Sequence, residues 1–510
     1  MPQFSFTPRC FDALPRLAWC AVLRAGEPRV VLLHGPGVEV RGDWFVEGAW
    51  NGPFAAGRFD EAHTLTGTGG RVHEAGVRFC GPSHFYDGLR TLRIGSTLWV
   101  SNSLAFLLER VGDDLDPEYP HYVADLAEYR RRGLRRREKP LRTRLGNRVL
   151  IHHFTDLRVS RDLSLWEVAR PACEAPRDFA DYRRLLEDTV EAVVENAGDP
   201  SRRARFRPKT LISRGYDSVA TSTLAARAGC RVALTFARLD PDDERPDDGA
   251  AHIAAALGLA AHEYSRIGYV RLPGVVDAEF CACPEGGAVQ MAALEGELRD
   301  TLLFDGRFGD SIWNKEARAH PPDLQRLRRD TWMTLIGDSY REFRLRVGYF
   351  ALPIPCIGAR HHRQIQRIAT SEEMRPWSIG GSYDRPIPRR IAEEAGVPRE
   401  WFGQKKSAGL VQHFYSQGLS PNGREDFAKF YERIHRPTPL AERLRFSFMR
   451  ALYAANRAGV RLLNALGDRF HWERVFEPVV HGRYAAKLDP LLYTFHWGID
   501  HVKRRYEIPE

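Results

Sequence analysis

The sequence predicts an α/β protein with a strand-rich first third, a parallel sheet in the middle and a helical last part. Short β-like runs separated by Gly, Pro, Asn and Asp turns fill residues 18–154. Apolar runs alternate with helix-prone runs over 210–264, and helical patterns dominate from 321 onward. A chain of 510 residues exceeds one core, so we expect three domains: 1–165, 175–420 and 421–510.

Composition and charge indicate a soluble enzyme. Hydrophobic residues make up 43% of the chain and charged residues 28%, and the net charge of +9 comes mostly from arginine. We interpret the arginine-rich run 129–137 as a solvated surface, and no nucleic-acid recognition motif is present. Eight scattered cysteines, no signal peptide and no apolar run of about 18 residues predict a cytoplasmic protein without a transmembrane segment. A homodimer is kept as one alternative for the assembly of the chain.

The first third predicts strands and one short helix. The helix is expected at 104–110, directly after a strand. The β-like runs are 30–33, 44–48, 93–94, 98–100 and 146–153.

The middle of the chain predicts a parallel sheet. Apolar residues at helical spacing predict a helix over 176–196, which leads to an apolar strand at 210–212. A strand at 230–236, a helix over 247–259 with acidic residues in its first turn, and a strand at 262–264 follow. This alternation is typical of parallel α/β sheets.

The turn after the first of these strands has the composition of a phosphate cradle. Loop amides and a helix N-terminus together favour an anion. Ser213 and Ser218 add hydroxyl donors, and Asp217 is a candidate ligand for a magnesium ion that bridges phosphates. Gly215 is expected to adopt a backbone angle that other residues avoid.

This stretch resembles the Ser-Gly-Gly-x-Asp-Ser pyrophosphate loop (PP-loop) of the asparagine-synthetase-like ATP pyrophosphatases. Arg214 replaces the first glycine, which either adds a phosphate contact or marks a degenerate loop. The resemblance implies ATP and Mg²⁺ as cofactors, with backbone contacts to adenine from the second strand. The implied nucleotide-binding residues are Leu211, Ser213, Arg214, Gly215, Tyr216, Asp217, Ser218, Thr235 and Phe236.

A second stretch, 302–313, resembles the family's Ser-Gly-Glu-Gly-x-Asp-Glu segment. Gly306 and Asp310 match it, whereas Asp305, Arg307, Phe308 and Ser311 depart from it. The resemblance adds Gly306 to the implied nucleotide-binding residues. Triphosphate chemistry needs a second carboxylate opposite Asp217, so the resemblance implies that Asp310 binds magnesium. The alternative is an aspartate that caps a helix.

Two segments of the last third also resemble the family. Glu373 matches a glutamate of the family's Val-Glu-x-Arg-x-Pro-Phe segment and is a candidate base for an attacking amine, the alternative being a helix-end salt bridge. Lys405 and Lys406 lie in a stretch similar to the family's lysine loop, where one lysine stabilises charge on the phosphates. The alternative is a surface lysine pair. The amphipathic stretch 440–470 is expected to pack on the core, with membrane contact as its alternative.

The first third resembles the family's Ntn-hydrolase-like glutaminase domain, an α+β sandwich, at 47–54 and 98–104. Glutamine-using members carry a cysteine after the initiator methionine, where this chain has Pro2. We therefore expect no glutaminase activity. The nitrogen donor would then be a substrate amine or ammonia.

These resemblances predict an ATP-dependent carbon–nitrogen ligase. It would activate a small-molecule or peptide carboxylate as an acyl-adenylate and form an amide with an amine or ammonia. One alternative is adenylation of an amide or carbonyl for sulfur or nitrogen transfer, in which Cys281 or Cys283 would act; otherwise we interpret both cysteines as buried. The other is a degenerate nucleotide-binding scaffold.

Overall fold

The computed structural model describes residues 4–74, 76–84, 86–123, 125–126, 140–243, 246–283, 287–315, 340–381, 383–404, 419–434 and 493–508. The arginine-rich run 129–137, Lys405, Lys406 and the stretch 440–470 lie outside these residues. Within the described ranges, no helix combines the length and the apolar character needed to cross a membrane.

The first third forms two sheets whose strands are mostly antiparallel. One has the order β1-β3-β2-β9-β8-β11-β10 and the other the order β13-β12-β7-β6-β5-β4, and β1 pairs with β3 in parallel. The strands are β1 (Ser5–Cys10), β2 (Trp19–Arg24), β3 (Arg29–His34), β4 (Glu39–Arg41), β5 (Trp44–Trp50), β6 (Leu65–His73), β7 (Gly76–Cys80), β8 (Leu89–Ile94), β9 (Thr97–Ser101), β10 (Leu141–Arg142), β11 (Arg148–His152), β12 (Asp156–Val159) and β13 (Leu165–Val168).

The two sheets pack face to face around an aromatic core. The ring of Trp19, on β2, lies 4.9 Å from that of Phe45 and 6.0 Å from that of Phe79, which belong to the other sheet. The indole nitrogen of Trp19 donates to Thr68 Oγ1 at 2.8 Å, so the buried N–H is satisfied across the interface. The predicted short helix is confirmed as α1 (Leu104–Val111), which is capped by the Ser103 hydroxyl.

The middle of the chain forms a parallel sheet, which confirms the predicted α/β class. Its order is β16-β15-β14-β17-β18, and every pairing in it is parallel. The strands are β14 (Arg207–Ile212), β15 (Val232–Ala237), β16 (Ala260–Ser265), β17 (Thr301–Asp305) and β18 (Phe350–Pro353).

The remaining helices follow the first third of the chain. The helix predicted over 176–196 is confirmed, begins at the capping residue Asp178 and buries one apolar stripe. The helices are α2 (Phe179–Gly198), α3 (Tyr216–Arg227), α4 (Ala251–Ala256), α5 (Asp277–Cys281), α6 (Glu295–Leu298), α7 (Gly309–Ile312), α8 (Arg341–Val347), α9 (His362–Ala369), α10 (Pro386–Glu393), α11 (Pro421–Ile434) and α12 (Thr494–Lys503).

The helix expected over 247–259 is shorter than predicted. It begins at Ala251, so Asp247 and Asp248 precede it instead of forming its first turn. Asp247 accepts backbone N–H groups of Arg238 (2.9 Å) and Gly249 (3.1 Å). These local hydrogen bonds compete with helix formation and delay the start of α4.

A buried ionic network links the sandwich to the parallel sheet. Arg344, on α8, contacts Glu47 Oε2 at 2.7 Å and Asp87 Oδ2 at 2.6 Å, both in the first third of the chain. Asp87 also contacts Arg341 at 3.0 Å and Arg90 at 3.2 Å. Burial alone would raise the pKa of Asp87, but the three guanidinium groups outweigh it and lower that pKa to about 2.

Candidate functional site

The strand order creates a crevice where ligands of parallel sheets usually bind. The chain proceeds from β14 outward through β15 to β16, then returns to the other side of β14 as β17. The connections after β14 and β17 therefore leave in opposite directions, which opens a crevice at the carboxyl ends of these strands. Residues 213–218 and 306–310 follow these strands directly and meet at this point.

The loop after β14 is held in shape by its two serines. Ser213 Oγ lies 2.9 Å from Ser218 Oγ, and Ser218 Oγ accepts the backbone N–H of Ser213 at 3.1 Å. Gly215 N donates to Ser213 Oγ at 3.3 Å. Helix α3 then begins at Tyr216, with its first-turn amides at the crevice, so the loop has the strand–turn–helix form that the sequence predicts.

The expectation for Gly215 is wrong. Its backbone angles, φ −79° and ψ 153°, are ordinary extended values that any residue adopts. An added Cβ would come no closer than 3.4 Å to another atom, which is van der Waals contact. Neither backbone strain nor crowding requires a glycine at this position.

Arg214 is turned away from the loop, toward the acidic turn that precedes α4. Its Nε donates to the carbonyl oxygen of Gly249 at 2.9 Å, and its guanidinium lies 3.3 Å from Asp247 Oδ2. Its backbone N–H donates to Asp248 Oδ1 at 3.2 Å. In this arrangement Arg214 braces the loop against the neighbouring turn, and one loop amide is already paired with a carboxylate.

The two aspartates predicted to bind metal are brought together, and an arginine joins them. The guanidinium of Arg385 contacts Asp217 Oδ2 and also Asp310 Oδ1, the latter at 2.5 Å. Arg385 is 4% exposed, Asp217 15% and Asp310 31%. Phe308, not Asp310, holds the N-cap position of α7, so helix capping does not explain Asp310.

The electrostatics of this triad follow from its burial. Burial raises the pKa of Asp217, Arg385 opposes that rise, and the carboxylate of Asp310 adds to it. Burial also disfavours the charge of Arg385, but the two aspartates outweigh it and raise the pKa of Arg385. With both carboxylates ionised the triad carries one net negative charge, which favours a further cation or a shared proton.

Close approach of the two turns requires glycine at positions 306 and 309. A Cβ at Gly306 would lie 2.5 Å from the carbonyl carbon of Asp217, and a Cβ at Gly309 would lie 2.3 Å from Asp217 Cγ. Gly306 thus lies in the crevice, and its role as a nucleotide-binding residue stays a prediction. The sequence did not single out Gly309, which packs directly on the carboxylate.

Tyr216 points into the core and not into the crevice. Its side chain is fully buried, its hydroxyl contacts Arg389, and its ring centroid lies 4.9 Å from that of Tyr383. Gly403 packs on this ring, and its N–H donates to the carbonyl oxygen of Arg214 at 2.8 Å. The segment that leads to Lys405 therefore starts at the loop, although both predicted lysines lie outside the described residues.

The three other predicted nucleotide residues lie on the strands beside the loop. Leu211 is half-buried on β14, opposite Leu234 of β15. Phe236, on β15, is also half-buried. Thr235 is buried, and its Oγ1 accepts the N–H of Ala250 at 3.2 Å just before α4. This hydroxyl is committed to the fold, which leaves the strand backbone as the contact that the resemblance implies.

Glu373 forms the salt bridge that the sequence left as an alternative. It lies in a short 3₁₀ segment, Glu372–Trp377, and its Oε1 is 2.6 Å from a guanidinium nitrogen of Arg390. Its side chain is 44% exposed. The role of Glu373 as a base stays a prediction.

Asp305 does not join the aspartate pair, although it is the last residue of β17, the strand that leads to Asp310. It is buried, and Tyr86 from the sandwich donates to both of its carboxylate oxygens, at 2.5 and 2.6 Å. Tyr340 donates to Asp305 Oδ2 at 3.2 Å, and the Arg307 guanidinium lies over both tyrosine rings. The sandwich therefore contacts the strand end that carries the site.

The two cysteines of the sulfur-transfer alternative are buried, as predicted. Cys281 is 2% exposed and Cys283 is fully buried. Burial raises the pKa of the Cys281 thiol, with Asp277 adding to the rise. A buried thiol with a raised pKa is a poor nucleophile, which weighs against this alternative.

Sequence reasoning missed Arg385, the residue that joins the pair. It is 168 positions from Asp217 in the chain, and no motif spacing connects them. The one local signal is the Asp384-Arg385-Pro386 sequence, because a proline at the first helical position predicts that α10 begins there.

The donor set fits a magnesium ion that also binds phosphates. Asp217 Oδ1 is buried and accepts no hydrogen bond from the described residues. These residues contain no cluster of three or more His, Cys, Asp or Glu side chains suited to a metal. Magnesium in nucleotide sites is usually held by one or two carboxylates, substrate phosphates and water, and Asp217 with Asp310 matches that pattern.

No model of a known protein family matches the chain, and a comparison with curated proteins found no relative.

Proposed function

We propose that the chain is an ATP-dependent ligase of the asparagine-synthetase-like type, which adenylates a carboxylate and joins it to an amine or ammonia. One observation carries the proposal: Asp217 and Asp310 meet at the switch point of a parallel sheet, beside the N-terminus of α3. Anionic ligands of such sheets bind at this position.

The loop and α3 supply the phosphate contacts in this proposal. The first-turn amides of α3 have no acceptor within their own helix, and the helix dipole favours an anion beside them. The hydroxyls of Ser213 and Ser218 already lie together at the same turn. Both can reorient toward an incoming phosphate oxygen.

Magnesium would be held by Asp217 and Asp310 and would screen the charge of the phosphates. Gly306 and Gly309 keep the two turns close enough for both carboxylates to reach one ion. Arg385 supplies a second positive charge beside the same oxygens. Leaving-group charge would therefore develop next to cationic groups, which is the arrangement that stabilises a transition state.

The lysine loop completes the proposed site. Because Gly403 is hydrogen-bonded to Arg214, the chain reaches position 404 beside the pyrophosphate loop. We assign the charge-stabilising role to Lys405 or Lys406, which follow directly in the sequence.

A second candidate function is a nucleotide-binding scaffold without turnover. Two observations favour it: Arg385 already neutralises part of the aspartate pair, and Asp248 occupies the amide of Arg214. Both contacts leave fewer groups available for phosphate and metal than a loop with free amides and an unpaired aspartate pair would offer.

Pyrophosphate release tests the proposal and separates the two candidates. Wild type and Asp217→Ala would be incubated with ATP, Mg²⁺ and a panel of amino acids, peptides and organic acids, each with and without ammonium. The ligase predicts release that depends on an acceptor and is lost in Asp217→Ala, with an amide product detected by mass spectrometry. Tight ATP binding without release would favour the scaffold, and no ATP binding would overturn both.

A further inference from the structure

Arg385 lies where a cation shared by Asp217 and Asp310 would lie. Its guanidinium contacts one oxygen of each carboxylate, and its side chain is almost completely buried. A guanidinium offers several donors in a rigid plane, so one side chain can bridge two carboxylates. This geometry makes Arg385 a direct competitor for any metal ion at the pair.

The structure holds Arg385 in this place from both sides. The preceding residue, Asp384, lies 2.6 Å from Lys315 Nζ and accepts the backbone N–H groups of Ile379 and Gly380. Helix α10 begins immediately after Arg385. The guanidinium carbon also lies 5.0 Å from the ring centroid of Tyr383. Arg385 is therefore anchored beside the pair by its own segment.

Without phosphates the pair is a poor magnesium site. The ion requires about six oxygen ligands in near-octahedral geometry, and the described residues add no further acidic side chain or histidine. An ion at the pair would also lie next to the buried charge of Arg385, which repels it strongly where water is excluded. Phosphate oxygens would supply both the missing ligands and the missing negative charge.

We propose that Arg385 is the resident counter-cation of the pair and keeps divalent metal ions off Asp217 and Asp310 until nucleotide phosphates arrive. The inference rests on the proposed function in one respect, that the pair is the metal site. It adds an order of binding: metal enters together with the nucleotide, and free metal does not bind first. The long side chain of Arg385 can then move from the carboxylates to a phosphate oxygen and keep its charge paired.

Titration of Mn²⁺ into the nucleotide-free, full-length protein tests this proposal, with calorimetry and the electron paramagnetic resonance signal of free Mn²⁺ as readouts. Arg385→Gln is expected to bind one Mn²⁺ at least about tenfold more tightly than wild type, because the competing charge is gone. The double variant Arg385→Gln/Asp310→Asn should lose this gain. Arg346→Gln is the matched control, since Arg346 bridges Glu279 and Glu295 elsewhere in the fold, and it should behave as wild type.

Several results would overturn the inference: tight Mn²⁺ binding by wild type, no gain in Arg385→Gln, or an equal gain in Arg346→Gln. Circular dichroism and thermal unfolding establish that each variant is folded. If Arg385→Gln does not fold, Arg385→Met replaces it, because methionine also removes the charge while it fills much of the same space, and it should bind Mn²⁺ more tightly than wild type. If wild type releases pyrophosphate but Arg385→Gln binds Mn²⁺ no more tightly than wild type, only this inference is refuted. If Arg385→Gln binds Mn²⁺ more tightly than wild type but wild type does not bind ATP, only the proposed function is refuted.

Discussion

The hydroxyl of Tyr86 donates to both carboxylate oxygens of Asp305, at 2.5 and 2.6 Å, and so joins the β-sandwich to the end of β17. Both residues are buried, and they are 219 positions apart in the chain. Because the turn that leads to Asp310 follows β17, the contact between the sandwich and the end of β17 also supports the site. Burial raises the pKa of Asp305, and the hydrogen bonds that its carboxylate accepts oppose this rise by stabilising the charged form.

Tyr86→Phe should lower the free energy of unfolding by about 1–3 kcal/mol, because it leaves a buried carboxylate short of a hydrogen bond. The midpoint of urea unfolding measures the effect. Tyr349→Phe is the matched control, since Tyr349 is fully buried and its hydroxyl has no hydrogen-bond partner among the described residues. It should leave the midpoint unchanged or raise it. Equal losses in both variants would contradict the account.

Gly309→Ala should be destabilising by about 1–3 kcal/mol, because the new methyl group overlaps the carboxyl group of Asp217. Gly215→Ala should be tolerated, although it lies in the loop motif, because its angles and surroundings accept a side chain. Gly296→Ala is the control, since a Cβ there meets nothing within 4 Å. Thermal unfolding of the three variants checks the prediction, which fails if Gly215→Ala loses more stability than Gly309→Ala.

Acid should destabilise the protein partly through His84. This histidine is buried, and its Nδ1 accepts the backbone N–H of Tyr86 at 3.2 Å, so the folded state holds it neutral. Burial lowers its pKa to about 3. Above about pH 6.5 the histidine is neutral in both the folded and the unfolded state. Below that pH the unfolded state binds a proton that the folded state does not bind, so the free energy of unfolding falls as the pH falls.

His84→Asn should therefore flatten the loss of stability between about pH 6.5 and pH 3, since asparagine can accept the same N–H and does not titrate. Urea midpoints of wild type and variant across this range provide the measurement. Parallel pH profiles for the two proteins would show that His84 is not the group responsible.

Cys281→Ala should retain pyrophosphate release, with a loss of stability of about 1–2 kcal/mol from the small cavity that it leaves. The thiol is buried, with a raised pKa, and so serves packing. A steady-state assay beside a denaturation curve separates the two effects. Loss of turnover in a variant that is still folded would revive the sulfur-transfer alternative.

Local patterns predicted the elements that local interactions determine. The apolar run at 210–212 and the helix-prone run of small residues at 219–229 predicted β14 and most of α3, because strand and helix patterns are visible within a few residues. Asp217 was singled out by its place in the turn after the apolar run, and Asp310 by the resemblance of 302–313 to a family segment. Their meeting required only that the strands be neighbours in a parallel sheet.

Long-range packing determined what the sequence did not reveal. Arg385 reaches the pair through a turn that Asp384 holds, and nothing in the spacing of either residue indicates this. The need for glycine at 309 arises from the approach of two distant turns, not from the local backbone. Because Asp247 and Asp248 are acidic, we predicted that they form the first turn of a helix. They precede α4 instead, since they accept the backbone N–H groups of Arg238 and Arg214.

Calorimetric titration of ATP measures whether the crevice between β14 and β17 binds ATP together with magnesium. Wild type, Asp217→Asn and the control Asp500→Asn would be compared with and without Mg²⁺; Asp500 pairs with Arg433, on α11. With Mg²⁺ present, we expect Asp217→Asn to bind ATP at least about tenfold more weakly than the other two proteins, and we expect the difference to shrink without the metal. Equal affinities of all three proteins in the presence of Mg²⁺ would contradict this expectation.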